Sequence, residues 1–292
     1  MFNNLKYPIL DEDSKGSVLR DAYLYACHKD IEVIKPGNVS INSPHHDTTA
    51  SDYLISSINS GSQLFHKEYS LGDRILKAVI ATRNETLTNT NLGIIMLCAP
   101  IAHALIEYKG LGLREAIIKT IDDATPDDTV KICKAINISN PGGLGDAPKY
   151  DTKSLPNVKL REIMGYSAGY DRISYQYHNN FKDILDFILP NLDKNIIKYK
   201  STDISISITF LEILSKIPDS HISRKLGEEI AKKTSNHVND LLKIQDKDCS
   251  EDYLVKQLND LDYEYKKKGI NPGTTADLLV ASLMIHRIFK SA

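Results

Sequence analysis

Apolar residues recur at steps of three and four along almost the whole chain, the period of an amphipathic helix. In 17–34, SVLRDAYLYACHKDIEVI, residues Leu19, Tyr23, Ala26 and Cys27 fall on one stripe. The same period runs through 52–65 and through 71–85, where Ile75, Leu76, Val79 and Ile80 recur together. The segment 92–108, LGIIMLCAPIAHALIEY, is apolar nearly all round, which predicts a helix at the centre of the fold. It is too short, and too interrupted by Pro100 and His103, to span a bilayer. Further helices are predicted over 112–123, 126–138, 157–166, 170–189, 219–241, 251–268 and 274–290. The stretch DISISITF (203–210) alternates as a strand would. It runs on into FLEILSKI at helical spacing, and a lone strand has no partner elsewhere, so a helix is expected there too. Connections are short except near 139–157, where Gly, Pro, Asn and Asp cluster. The expectation is an all-α fold: a single multi-helix domain over 1–292, built round a central apolar helix.

Composition narrows the function classes. With 292 residues and a net charge of -2, the chain has no electrostatic footing for nucleic acid or an anionic membrane. Cys27, Cys98, Cys133 and Cys249 form no CxxC pair and no zinc spacing, so reduced thiols and a cytoplasmic location are expected. The first residues have neither a basic region nor an apolar core, so no signal peptide is read there. The sequence leaves a homodimer open.

Three Pro-Gly turns stand beside polar residues: KPGNVS (35–40), NPGGLGD (140–146) and NPGTTADLLVAS (271–282). Thr274 to Asp277, Thr49 to Asp52 and Ser70 to Asp73 each read as a capping box. Capping does not require Asn271, Pro272 and Gly273 ahead of the last helix, however. Glycine lets another group approach the backbone, and free N–H groups at a helix start bind anions. Lys35 reads either as a solvated loop lysine or as a phosphate ligand, with Asn38 just after it. SPHHDTT (43–49) sets His45, His46 and Asp47 together. Adjacent histidines diverge and rarely share a metal, whereas Asp47 suits a Mg²⁺ shell of oxygen ligands and water. Asn89 and Asn91 head the central helix, and either can serve as its N-cap. DDATPDD (122–128), which includes Asp128, reads as a solvated helix start or a metal site. Asp171 and Gln176 lie in the first turns of the helix after Gly169. His221, Arg224 and Lys225 share one face at i, i+3 and i+4. Such a trio near a helix start opposes the dipole but suits the grip of a polyphosphate.

Taken in order, KPGNVS, HHD, NTNLG, PGGLG, DRISYQY, PDSHISRKLG and NPGTTADLL resemble the triphosphoribosyl-dephospho-CoA synthase family, over about 240 residues. Asn91-Leu92 stands where the citrate-lyase accessory enzymes resemble His-Lys, and the chain looks closer to the archaeal-type branch. The resemblance implies an all-α enzyme that uses ATP and dephospho-CoA or a related acceptor. The acceptor's 2′-hydroxyl attacks C1′ of the ATP ribose, adenine leaves, and the triphosphate stays on the transferred ribose. On that reading Asp47 or Asp277 deprotonates the hydroxyl and steadies an oxocarbenium-like state. Mg²⁺ is the expected cofactor, with Asp47, Asp128, Asp219 and Asp277 as candidate ligands. Lys35, Arg224, Lys225 and the backbones around Gly142, Gly143, Gly145, Gly273, Thr274 and Thr275 would hold phosphate. Asn89, Asn91 and His221 would assist the leaving adenine. Gly37, Asn38, His46, Asp171, Gln176 and Asn271 complete the expected substrate-binding set. Two other readings stay open: a Mg²⁺-dependent helical hydrolase of an N-glycosidic or phosphate bond in a nucleotide, and a non-catalytic binding module.

Overall fold

The computed structural model describes residues 12–43, 49–86, 88–142, 145, 147–244 and 250–290. Among these residues there are fourteen α-helices and no strand. They are α1 (Glu12–Glu32), α2 (Ala50–Leu64), α3 (Leu71–Glu85), α4 (Leu92–Glu107), α5 (Leu113–Asp123), α6 (Pro126–Ser139) and α7 (Leu160–Ser167). Then follow α8 (Arg172–His178), α9 (Leu189–Lys198), α10 (Thr202–Lys216), α11 (Ser220–Leu226), α12 (Glu228–Ile244), α13 (Glu251–Lys267) and α14 (Gly273–Lys290). The alternating stretch 203–210 lies in α10, as its continuation at helical spacing requires.

The centre is α4, buried from Ile94 through Ala102 and again at Ala104 and Leu105. It packs on α14, which is buried just as thoroughly, and α1, α2, α3, α5 and α8 also pack on it. One contiguous core joins these helices to α6, α7 and α9–α12. Cys27, Cys98 and Cys133 are buried free thiols. No helix of the described residues is long and apolar enough to cross a membrane.

Pro100 sits inside α4, and a proline cannot donate to the carbonyl four residues back. That carbonyl belongs to Met96, and the buried Tyr177 hydroxyl of α8 donates to it instead. A defect in one helix is thus repaired by another.

Two predicted helices are broken in two. The first, expected over 170–189, stops at His178, and Asn180 and Phe181 both take φ of 57°. The buried Gln176 side chain donates to Asp183 and accepts from its N–H, and Arg172 grips the same carboxylate through two bonds of 2.7 and 2.8 Å. This polar knot holds a left-handed turn that propensity alone disfavours. The chain then re-enters helix through a π-turn over Ile184–Ile188 and continues to Lys198. The second, expected over 219–241, breaks at Gly227, whose φ of 95° suits glycine.

Candidate active site

A cavity of about 580 Å³ opens where the starts of α4, α8, α11 and α14 meet the last turn of α1, with α6, α7 and the 140–152 loop forming the opposite wall. Of the expected residues, Asn38, Asn89, Gly142, Gly145, Asp171, His221, Arg224, Lys225, Asn271, Gly273 and Asp277 line it. Segments more than two hundred positions apart in sequence therefore meet in one place. Asp47, His46 and Gly143 lie outside the described residues.

Close approach explains two glycines. A Cβ on Gly93 would lie 2.0 Å from Asp277 Oδ2, so the carboxylate presses against the first turn of α4. A Cβ on Gly273 would lie 2.8 Å from the His221 ring, which occupies that space. Asp277 receives no hydrogen bond from any described group. Burial raises its carboxyl well above the usual range; the charges of Asp30, Asp219 and Asp171 push the same way, and only Arg224 opposes them. Arg224 itself is held by Asp171 at 2.8 Å, while Asp171 caps α8 through the Ser174 N–H. Lys225 lies against Gly142 and pairs with no described acid.

Other expected residues stand behind the wall. Lys35 is fully buried: its ammonium donates to the carbonyls of Asp30 and Val39 and to Asn38 Oδ1, and pairs with Asp30 Oδ1 at 3.2 Å. It cannot reach phosphate from there, and instead fixes Asn38, which in turn donates to Asn271 at 2.9 Å. Gly37 gives its N–H to Asp262 of α13 and faces the α13–α14 junction. Asn91 points into the core and donates to Ser56 and Ser60 of α2. Asn89, which does line the cavity, accepts from Leu92 N–H at the head of α4. Gln176 belongs to the polar knot described above. Thr274 and Thr275 are inside α14, and their capping box with Asp277 does not form. Thr275 gives both its N–H and its hydroxyl to Asp219, at 2.7 and 2.8 Å, and Thr274 bonds Ser220.

The metal assignments of Asp128 and Asp219 are corrected by the same geometry. Asp128 accepts from Ser70, Gly72 and twice from Thr125, closing one capping box and fastening α3 to α6. Asp219 accepts from His221 and Ile222 as the cap of α11, and from Thr275 at the start of α14. Burial raises the Asp219 carboxyl against the downward pull of those four bonds. Both carboxylates have spent their acceptor capacity on the fold. Among the described residues no group of three His, Cys, Asp or Glu side chains could hold a metal. Any Mg²⁺ here would therefore be held largely by substrate phosphates rather than by a cage of described residues.

Several lining groups escaped the sequence reading, four of them charged or aromatic groups of the first interest. Asp30 stands in the last turn of α1, and Arg83, Lys149 and Tyr150 border the far wall. Asp30 carried a signal: it continues the Tyr23, Ala26, Cys27 stripe at helical spacing, so a carboxylate interrupts an apolar face. The far wall is apolar and aromatic, with Ile132, Ile136 and Met164 beside Tyr150 and Tyr166, whose rings meet edge to face at 5.7 Å.

A family model described as CitG, ATP:dephospho-CoA triphosphoribosyl transferase, matches residues 17–292. The chain is also similar to a solved structure from Archaeoglobus fulgidus described as a triphosphoribosyl-dephospho-CoA synthase. The TM-score is 0.60 at 21% identity, over 80% of this chain and 96% of that one, a likeness of fold. No curated protein matches the chain.

Proposed function

Since the family match runs over nearly the whole sequence, the chain belongs to the ATP:dephospho-CoA triphosphoribosyl transferase family, and we propose that the cavity above is where its transfer takes place. The enzyme moves the 5-triphosphoribosyl group of ATP to the 2′-hydroxyl of dephospho-CoA and releases adenine. The observation that carries the assignment is Asp277, a cavity-lining carboxyl without a hydrogen-bond donor. It lies where two buried helices begin. Partly open to the cavity and bonded to no described group, it is left for a ligand to engage.

The chemistry fits the two ends of the cavity. Arg224, Lys225 and the first turns of α4 and α14 supply positive potential for the triphosphate. Asn38 and Asn271, locked to each other, present amides for ribose hydroxyls. Asp277 faces C1′, beside the bond that breaks as the oxocarbenium-like state forms. His221 and Asn89 border the same space and suit the departing purine. The apolar wall with Tyr150 and Tyr166 suits a second purine or the pantetheine arm of the acceptor. ATP arrives as its Mg²⁺ complex, the cation being part of the substrate and neutralising phosphate charge.

Incubation with ATP, MgCl₂ and dephospho-CoA, followed by mass analysis, tests the reading. Adenine and triphosphoribosyl-dephospho-CoA should appear together, and neither without the acceptor. Adenine released by water alone would replace transfer with hydrolysis. The hydrolase reading also needs carboxylates that hold a metal pair, and among the described residues no group of three His, Cys, Asp or Glu side chains could hold a metal.

A further inference from the structure

We propose that Asp30 is a second catalytic carboxylate of this site, the base that takes the proton of the attacking hydroxyl, while Asp277 is the acid that protonates departing adenine. The inference rests on the functional reading above and divides its chemistry between two named groups.

Asp30 is 4% exposed, yet it lines the cavity. Its Oδ1 accepts no hydrogen bond, and no described donor reaches its other oxygen. It stands in the last turn of α1, where a carboxylate opposes the helix dipole. Its one partner is the Lys35 ammonium, and no hydrogen bond ties the carboxylate to the helix that carries it. The fold instead spends a fully buried lysine on it. Lys35 Nζ lies 3.2 Å from Asp30 Oδ1, and its protons are fixed by three oxygens of the same turn. That ammonium steadies negative charge on Asp30.

Asp277 faces the opposite conditions in the same cavity. No cation touches it. The charged groups around it are Asp30 from α1, Asp219 and Arg224 from the α11 segment and Asp171 from the α8 cap, three acids against one base. Around Asp30 stand Lys35, Asp277 and the thiol of Cys27. Two carboxyls in one cavity, one paired with a lysine and the other faced by acids, can serve as base and acid. Burial and the neighbouring acids hold Asp277 toward its protonated form.

The step balances. An oxygen lone pair of the 2′-hydroxyl forms the bond to C1′, and the C1′–N bond breaks with its electrons going to adenine. The hydroxyl proton passes to Asp30, and the Asp277 proton passes to adenine, which leaves neutral. One proton moved from Asp30 to Asp277 restores the starting state.

Asp30→Asn is the first test, with transfer from ATP to dephospho-CoA measured beside ATP affinity. The expected result is a fall in kcat of at least about 10²-fold with ATP affinity within about threefold. Because Asp30→Asn leaves the Lys35 ammonium buried without its counterion, the double variant Asp30→Asn with Lys35→Met is measured too. It removes the buried pair together, so its thermal midpoint should recover toward wild type while turnover stays lost. In pH profiles of kcat/KM, the residual activity of Asp277→Asn should lack the alkaline limb. A folded double variant with kcat within about threefold of wild type would overturn the role of Asp30. An alkaline limb that survives in Asp277→Asn would overturn the role of Asp277 as the acid. Wild-type protein that makes no transfer product would instead overturn the functional reading, and this division of labour with it.

Discussion

Asp219→Ala separates support of the fold from chemistry. Asp219 is 1% exposed and accepts four hydrogen bonds. Two of them, from His221 and Ile222, cap α11, and losing a cap costs about 1 kcal/mol. The Thr275 N–H, also buried, would be left without an acceptor, at about 1–3 kcal/mol. The Thr275 hydroxyl can rotate toward another acceptor and adds less. Removing a desolvated carboxyl returns part of the loss, so the net expectation is a destabilisation of about 2–4 kcal/mol. For a chain of this length that is a drop in Tm of about 3–7 °C. Since the chain has no Trp, far-ultraviolet circular dichroism is the suitable probe. Asp219→Asn keeps an acceptor oxygen and should fall between wild type and Asp219→Ala. A midpoint for Asp219→Ala within about 1 °C of wild type would refute the claim that this carboxylate stitches α11 to α14.

Asp277→Asn should do the reverse, lowering turnover at least about 10²-fold while leaving Tm at neutral pH equal or higher. The sign follows from its raised carboxyl: the stability Asp277 contributes is complete below its unfolded value of 3.8 and is lost as pH rises through its folded value. The Tm gap in favour of Asp277→Asn should therefore widen from acid to neutral pH, and a gap that stays flat would show that the carboxyl is not so strained. Tyr177→Phe strands the Met96 carbonyl in the core and should cost about 1–3 kcal/mol, read as a lower urea midpoint at unchanged slope. Gly93→Ala should displace Asp277 and lower turnover about 10²-fold, because a Cβ would overlap the carboxylate; near-normal turnover would show that Asp277 has freedom to move.

The helices were legible because each carries its own apolar stripe. Periodicity marked α4 as central, and it placed 203–210 in a helix despite the alternation. Where periodicity ran on, it misled: the apolar pattern crosses 179–183 unbroken, and only the tertiary knot of Arg172, Gln176 and Asp183 breaks the helix there. The site was legible as a set of turns and illegible as a set of roles. Lys35, Gln176, Asp128 and Asp219 have the residue types of ligands, but what separates a ligand from a brace is the direction of the side chain. Thr275 could not reveal from sequence that its cap comes from a residue 56 positions earlier. Asp30 was hidden for another reason. Its only mark was a charge on an otherwise apolar stripe, five residues ahead of the lysine that faces it.

The proline inside α4 has a bearing on how the protein assembles. Until Tyr177 arrives, the Met96 carbonyl has no protein partner and must keep one from water, so the central helix cannot be fully dried by the segments that precede it. A nascent chain that stops short of residue 170 should hold α4 in a hydrated, loosely docked condition. Sealing of the interior then waits for the downstream half, which makes closure of the interior a joint event between the two halves.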